Sequence, residues 1–429
     1  MTLTIPKGNF RVLLLIAEAL AFLLASTWTA KSYIAGRLAG EGATPAHIEE
    51  ARRLDPNNAI YDLDLGRFYQ YVPAEINPNL AVSHLRHAVE LDSHDPETWL
   101  DLGAALELQG QVREAEPCFD RANSLAPRDP QVQWAIANFL LLHGDVNQAF
   151  LHFQVVLAGT PRYNQAIFDI AWKASGNGAQ ILDEVIPREL SAELAYLHYL
   201  VPLDRLTEAQ AVWKRLVSGP VTFSPLEAAD FINRLIETHH PVEAFDVWTD
   251  LRQKVLMDAD LAPQGANLVV NGSFEGEIEN VGFGWRVAPS NDLRVWRDSA
   301  EFHSPGFSLA VEFLGKENLD FHHVFQYVLV EPGKTYNLDA FLKTQGITTN
   351  SGPRLEVRDA YDPAALNKLT DDLKEDSLGW THQSLAFTSG PRTQLLVVGL
   401  ARIPSEKLDN QISGRVWLDD VRLAPAIKP

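Results

Sequence analysis

The sequence predicts a multidomain chain: one apolar N-terminal helix, an all-α solenoid of stacked helical hairpins, and an antiparallel β-sandwich. Three observations predict it. Residues 12–30 form an apolar run broken by a single ionisable side chain. From about residue 44 to 260, small and apolar residues recur in a helical period with a step of 133 − 99 = 34 residues. After residue 265 the period changes to short alternating segments separated by turn residues. A length of 429 residues exceeds what one core holds, and 46% hydrophobic with 21% charged residues is the composition of a folded chain. The expected parts are residues 1–40, 41–261 and 262–429.

A net charge of −20, with no run of Lys or Arg against it, excludes nucleic acid, because a polyanion would be repelled. The one cysteine, Cys118, excludes an internal disulfide and any multi-cysteine metal site. Lying inside a repeat helix, it reads as a small packing residue rather than a catalytic thiol.

The N-terminal run VLLLIAEALAFLLASTWTA (12–30) is about as long as a hydrocarbon core is thick when helical. Glu18 is its only ionisable residue, and Trp28 and Tyr33 suit an interfacial belt. A cleaved signal peptide is the competing reading. It requires small residues in an A-x-A arrangement, whereas Trp28 stands three residues before Lys31, which favours an uncleaved single-pass anchor. Lys7 and Arg11 on one side balance Lys31 and Arg37 on the other, so charge leaves the orientation open.

In the repeats, Trp99, Leu102, Gly103, Leu106, Gly110, Ala115, Phe119, Ala122 and Pro127 align with Gln133, Ile136, Ala137, Leu140, Gly144, Ala149, Phe153, Val156 and Pro161. Gly103/Ala137 and Ala115/Ala149 are small where two helices of a hairpin approach, Phe119 and Phe153 fill the gap to the next hairpin, and the prolines stop the second helix. This spacing resembles the tetratricopeptide repeat, and about six hairpins are expected. In that family the first helix of each pair lines a concave groove, so the resemblance places Arg67, Tyr71, Trp134, Asn138 and His198 in a groove for a protein partner. Trp134 has a second reading, as packing against the next helix. His84 and His87, at i and i+3, lack a third metal ligand at a persuasive spacing and read as solvated helix histidines. His239-His240 before Pro241 reads as an inter-helix turn.

The alternating segments are 308–313, 323–330, 336–343, 354–359, 393–401 and 414–423. The opening NLVVNGSFEG, then Gly284-Trp285, and the closing VWLDDVRL resemble the galactose-binding-like jelly rolls of carbohydrate-binding modules on bacterial glycanases and envelope proteins. The resemblance implies a structural calcium ion held by Glu275 and Asp420, with no other cofactor; otherwise Asp419-Asp420 merely ends an exposed strand face. Sugar recognition uses aromatic platforms, for which Trp296, Trp380, Phe283, Tyr361 and His322 are the candidates. Trp285 reads as core. The acidic insertion 362–380 is expected to be partly helical.

These parts imply a membrane-anchored binding protein of the bacterial cell envelope, with its bulk outside the cytoplasm at the inner membrane. The solenoid would hold a protein and the sandwich a polysaccharide, as in exopolysaccharide or cell-wall assembly. A purely structural assembly factor is the alternative. A glycoside hydrolase would need two carboxylates held across a cleft, and no recognisable constellation of that kind stands in the sequence, so the chain is read as non-enzymatic.

Overall fold

A computed structural model describes residues 9–219, 223–254, 266–374, 376–377, 379–408 and 410–426. The expected junction Ala262-Pro263-Gln264-Gly265, together with Lys7, lies outside them. The chain divides into two compact units, Met1–Ala192 and Glu193–Pro429.

The first unit begins with helix α1 (Asn9–Leu38), whose apolar stretch is long enough to cross a membrane. It is followed by α2 (Pro45–Leu54), α3 (Ala59–Tyr71), α4 (Pro78–Leu91), α5 (Pro96–Leu108), α6 (Val112–Leu125), α7 (Pro130–Leu142), α8 (Val146–Gly159), α9 (Asn164–Ser175) and α10 (Gly178–Glu184). Local chemistry starts these helices: Thr44, Asn77, Asp95 and Asp129 each accept a first-turn N–H, and each is followed by a proline at the first helical position. The small residues do what the repeat demands. A Cβ on Gly66 would lie 2.5 Å from Leu85, and one on Gly103 3.0 Å from Phe119. Phe119 stacks on Phe139 of the next hairpin, centroids 4.4 Å apart. Cys118 is buried, its Sγ–H directed at the Glu114 carbonyl, and burial pushes the thiol up to about 11, which makes it inert at neutral pH.

α1 does not end as a free stalk. Ala35 is fully buried in a cluster with Ile48, Ala51, Tyr61 and Leu65, so the last turns of the apolar helix are packed as part of the first hairpin.

The second unit contains the rest of α11 (Leu190–Leu200), then α12 (Leu206–Ser218), α13 (Ala229–Glu237), α14 (Pro241–Lys254) and ten strands among its described residues. These are β1 (Arg286–Val287), β2 (Leu293–Asp298), β3 (Ser308–Leu314), β4 (Phe321–Leu329), β5 (Thr335–Gln345), β6 (Arg354–Asp359), β7 (Asn367–Leu369), β8 (Thr381–Thr388), β9 (Leu395–Arg402) and β10 (Ser413–Pro425). They pair antiparallel in two sheets, β1-β4-β9-β6-β7 and β2-β3-β10-β5-β8. The inward residues of both, among them Leu309, Val311, Leu338, Leu342, Val357, Val398, Val416 and Leu418, form one core, as a sandwich requires. Trp285 is in that core, its Nε1–H donating to the Asn271 carbonyl.

One expectation needs correction here. The insertion 362–380 forms the short strand β7 and extended chain; none of its described residues is helical, and Thr370 and Leu373 bond back to Leu355 and Pro353. The opening segment 267–276 is turn-rich. It lies along the end of β10 through Leu268 N–H to Leu423 O at 2.8 Å and Val421 N–H to Gly272 O at 2.8 Å.

The outer side of the first sheet is where the helices of this unit pack. Phe245 of α14 meets Phe283 edge-on with centroids 5.0 Å apart, His239 in the α13–α14 turn stacks on Tyr361 at 4.1 Å, and the Tyr361 hydroxyl donates to the Ile236 carbonyl at 2.9 Å. His239 takes a positive φ of 64° to make this stack, so the His239-His240 turn is a packing element as well as a loop.

Candidate functional site

Each unit carries one surface with convergent aromatic and polar side chains. In the first unit, a groove of about 470 Å³ is lined by Tyr71 of α3, Leu100, Asp101 and Glu107 of α5, Trp134, Asn138 and Phe139 of α7, and Arg162 and Tyr163 before α9. First helices of successive hairpins therefore supply most of the wall. Trp134 stacks on Tyr163 at 4.7 Å and 14°, and the Arg162 guanidinium lies 5.4 Å from the Tyr163 centroid. Trp134 thus packs against the next repeat and still borders the groove. Arg67 reaches the wall by pairing with Asp101 at 2.6 Å and Glu97 at 3.1 Å. Burial pushes the Asp101 carboxyl up, with Arg67 opposing. The Asn138 amide donates to the Trp134 carbonyl, so it shapes α7. His198 belongs to the second unit, where it bonds the Glu227 carbonyl at 2.9 Å. Tyr163 and Arg162 were missed because they lie in the connector between repeats, where the 34-residue alignment has no helical position.

In the second unit the register of the sheet β2-β3-β10-β5-β8 aligns side chains in rows on its outer face. Trp296 pairs with Ala310, Ala310 with Trp417, and Trp417 with Lys343; one step away run Arg294, Glu312, Arg415 and Gln345. On the other flank Asp419 pairs with Phe341, and Phe341 with His382. The Arg415 guanidinium sits 5.8 Å over the Trp296 ring and bonds Glu312 at 2.8 Å. Trp417, in the middle of the row, is buried at 5% exposure, with Lys343 Nζ 6.0 Å over its ring and its Nε1–H donating to Asp298 at 2.8 Å. The 299–307 loop adds His303, which stacks on Phe341 at 3.6 Å and meets Trp380 edge-on at 5.8 Å.

The expected sugar platforms are therefore divided. Trp296 and Trp380 belong to this face. Phe283, 1% exposed, and Tyr361 are spent on helix–sheet packing and present no ring face to a ligand. His322 is on the other sheet, bonded to Glu356 at 2.8 Å and paired with Asp320 at 3.2 Å; the Glu356 bond, against burial, raises its pKa. Phe341, His303, Arg415 and Lys343 were missed, although the alternation of YNLDAFLK, with Leu338, Ala340 and Leu342 inward, already turns Phe341 outward.

The two residues expected to hold calcium both bond the 303–307 loop. Glu275 accepts the Phe307 N–H at 3.1 Å, and Asp420 accepts His303 Nδ1–H at 2.6 Å and bonds the Ser304 hydroxyl. Among the described residues no three His, Cys, Asp or Glu side chains are placed to share a metal. Asp419 beside them is fully buried and accepts the N–H groups of His303 at 2.8 Å and Ser304 at 3.0 Å, pinning the loop over the face. Burial pushes its carboxyl up to about 6, with those N–H groups opposing. A carboxyl raised on folding stabilises most below its unfolded value and loses that contribution as pH rises through the folded one. The stability of the parent chain relative to Asp419→Asn is therefore expected to fall from about pH 4 to about pH 6, read by denaturant titration. A pH-independent difference would contradict the assignment.

His84 and His87 are not simply solvated. Their Nδ1 atoms lie 2.8 and 2.7 Å from the two oxygens of the fully buried Asp62, which Arg52 also approaches at 3.2 Å. Burial pushes the Asp62 carboxyl up, but the two imidazoles and Arg52 outweigh it and hold it below the ordinary range. The cluster ties α2, α3 and α4 together.

A tetratricopeptide-repeat family model matches residues 74–139. Residues 74–139, from just before α4 into α7, thus carry the tetratricopeptide pattern. Among solved structures, similarity to the tetratricopeptide region includes MamA (17% identical, covering 47% of this chain and 100% of that one, TM-score 0.31). Similarity to the sandwich includes the CBM22-1 xylan-binding domain of Paenibacillus barcinonensis Xyn10C (11% identical, 39% and 100% covered, TM-score 0.27). The enzymatically active domain of bacteriophage CBA120 tailspike protein 4 is also similar to part of the chain (15% identical, 38% of this chain, TM-score 0.24). The match spans 22% of the tailspike and 29% of a Clostridium thermocellum xylanase carrying CBM22-1 and GH10 modules. No curated protein matches the sequence.

Proposed function

We propose that this chain is a single-pass, non-catalytic scaffold of the cell envelope, whose tetratricopeptide groove holds a protein segment and whose sandwich presents a sheet face to a polysaccharide. The observation that carries the glycan half is the outer face of the sheet β2-β3-β10-β5-β8, on the side away from the helix-packed sheet, which has the part-exposed ring of Trp296 at one flank and those of Phe341 and Trp380 at the other. Flat rings receive the C–H face of a sugar, and Glu312, Arg415, Arg294 and Lys343 lie within the same rows to meet hydroxyls. The anchor reading is supported by the continuity of α1 into the packed hairpin: the chain after Ala30 stays helical to Leu38. The bulk of the chain is placed on the extracytoplasmic side of the inner membrane, in exopolysaccharide or cell-wall assembly.

Glycan profiling of the full chain in detergent tests this. Trp296→Ala and Trp380→Ala are each expected to weaken binding about tenfold, while Phe283→Ala changes stability instead of affinity. Equal affinities in all three would reject the face. The alternative, a purely structural assembly factor, is favoured by the polar groups already satisfied within the face, as in Trp417–Asp298 and Arg415–Glu312. No binding to any glycan, with retained capture of a peptide by the groove, would establish it.

A further inference from the structure

The first hairpin has a measured place relative to the apolar helix. Lys31 to Leu38 rise about 12 Å beyond the apolar run, and α2, ten residues long, runs back about 15 Å. A short connection between packed helices makes them antiparallel, and the cluster of Leu38, Ala35, Ile48, Ala51 and Leu54 shows them side by side. The end of α2 and the turn 55–58 therefore return to the level of Trp28 and Lys31, where the apolar run stops. α4, antiparallel to α3 in the next hairpin, ends at the same level.

At that level lies a pocket of about 450 Å³ lined by Glu49, Arg52, Arg53, Asn57, His87 and Leu91. Arg53 is exposed and makes no ion pair among the described residues. Arg52 has its Nε on Asp62 and Nη1 on Glu49, which leaves Nη2 for the pocket. His87 has Nδ1 on Asp62, so its Nε2 is the atom turned away. Ile60, at the start of α3, is an exposed apolar side chain at the same end, as are Trp28 and Tyr33 on α1. Basic residues in the last turn of α2 also complement the helix dipole, but that role requires neither a pocket nor a position beside the end of an apolar helix.

Resting on the reading of α1 as a membrane span, we propose that this pocket binds the phosphate headgroup of an anionic phospholipid in the bilayer that α1 crosses. Arg53 and Arg52 meet the phosphate, His87 Nε2 and Asn57 border it, and Ile60 dips into the interface. The solenoid is then fixed against the membrane surface by its first hairpin, instead of swinging on a single helix. In a chain of net charge −20 such contact rests on Arg53, because Arg52 is compensated by Asp62 and Glu49, Glu49 lines the same pocket, and the remaining surface is repelled by an anionic leaflet.

The test uses the full chain in phosphatidylcholine nanodiscs with increasing phosphatidylglycerol and a headgroup-spin-labelled lipid as quencher. Cys118 is buried and unreactive, so a fluorophore can be placed on one introduced thiol at a time. A label at Ile60→Cys is expected to be quenched, increasingly with phosphatidylglycerol, while one at Ile76→Cys, beyond the opposite end of α3, is not. Adding Arg53→Ala is expected to raise the phosphatidylglycerol fraction for half-maximal quenching about fivefold. No quenching at Ile60→Cys, with a Leu20→Cys label still quenched by acyl-chain spin labels, overturns the docking and leaves the anchor standing. Loss of the Leu20→Cys signal overturns the anchor itself. Quenching indifferent to phosphatidylglycerol, or abolished by millimolar inorganic phosphate, overturns recognition of an anionic lipid.

Discussion

Replacing Arg402 with leucine is expected to destabilise the C-terminal unit by about 3–5 kcal/mol, a large fraction of what a domain has. The side chain is fully buried, and its guanidinium donates five hydrogen bonds: to the Ser351 carbonyl at 3.1 Å, Asn318 Oδ1 at 2.9 Å, the Leu319 carbonyl at 2.6 Å, Thr349 Oγ1 at 3.4 Å and the Asn410 carbonyl at 3.0 Å. Three loops from different parts of the sandwich thus share one cation. Leucine fills much of the volume but supplies no donor, and each buried oxygen left without a partner costs about 1–3 kcal/mol, partly relieved where water enters. Lysine, with three donors on a single nitrogen, should recover part of the loss. Denaturant titration followed by tryptophan fluorescence measures it. A loss below about 1 kcal/mol would mean that these loops hold without the guanidinium.

Gly282→Ala is expected to cost about 2–4 kcal/mol by a different route. Gly282 has φ +57°, a left-handed conformation that a Cβ disfavours, and the added atom would lie 2.3 Å from Cε3 of Trp248. Trp248 is almost wholly buried in α14, so the indole cannot swing outward; α14 or the 281–284 turn must shift. The steric part can be isolated. In a Trp248→Leu background the clash disappears, and Gly282→Ala should then cost only the conformational portion, about 1 kcal/mol. Additive effects in this double-mutant cycle would show that α14 does not press on the turn.

The pattern of strands that could and could not be read has a physical cause. β3, β4, β5, β6, β9 and β10 coincide with the alternating segments, while β1, β2, β7 and β8 were not anticipated. Those four are the edges of the two sheets. An edge strand has a neighbour on one side only and is kept short or polar, so its apolar alternation is weak, as in THQSLAFT of β8. The helical repeats were more legible because their period is carried by close approaches that only small residues allow, as at Gly66 and Gly103.

Site residues divide along the same line. Trp134 and Tyr71 could be placed in the groove because a helical period assigns each position a face. The aromatic residues of the sandwich could not be sorted so: Phe283, Tyr361, Trp296 and Trp380 look alike as letters, and whether a ring is a platform or a wedge depends on which sheet the helices cover. The helices, the inner strands and the apolar run are local matters, written in periodicity, capping side chains and hydropathy, and the chain sequence specifies them. Which sheet face stays open, that Asp62 gathers two histidines and an arginine, and that Arg402 joins three loops are settled by packing between residues distant along the chain, since burial and pairing free energies depend on neighbours that no sequence window contains.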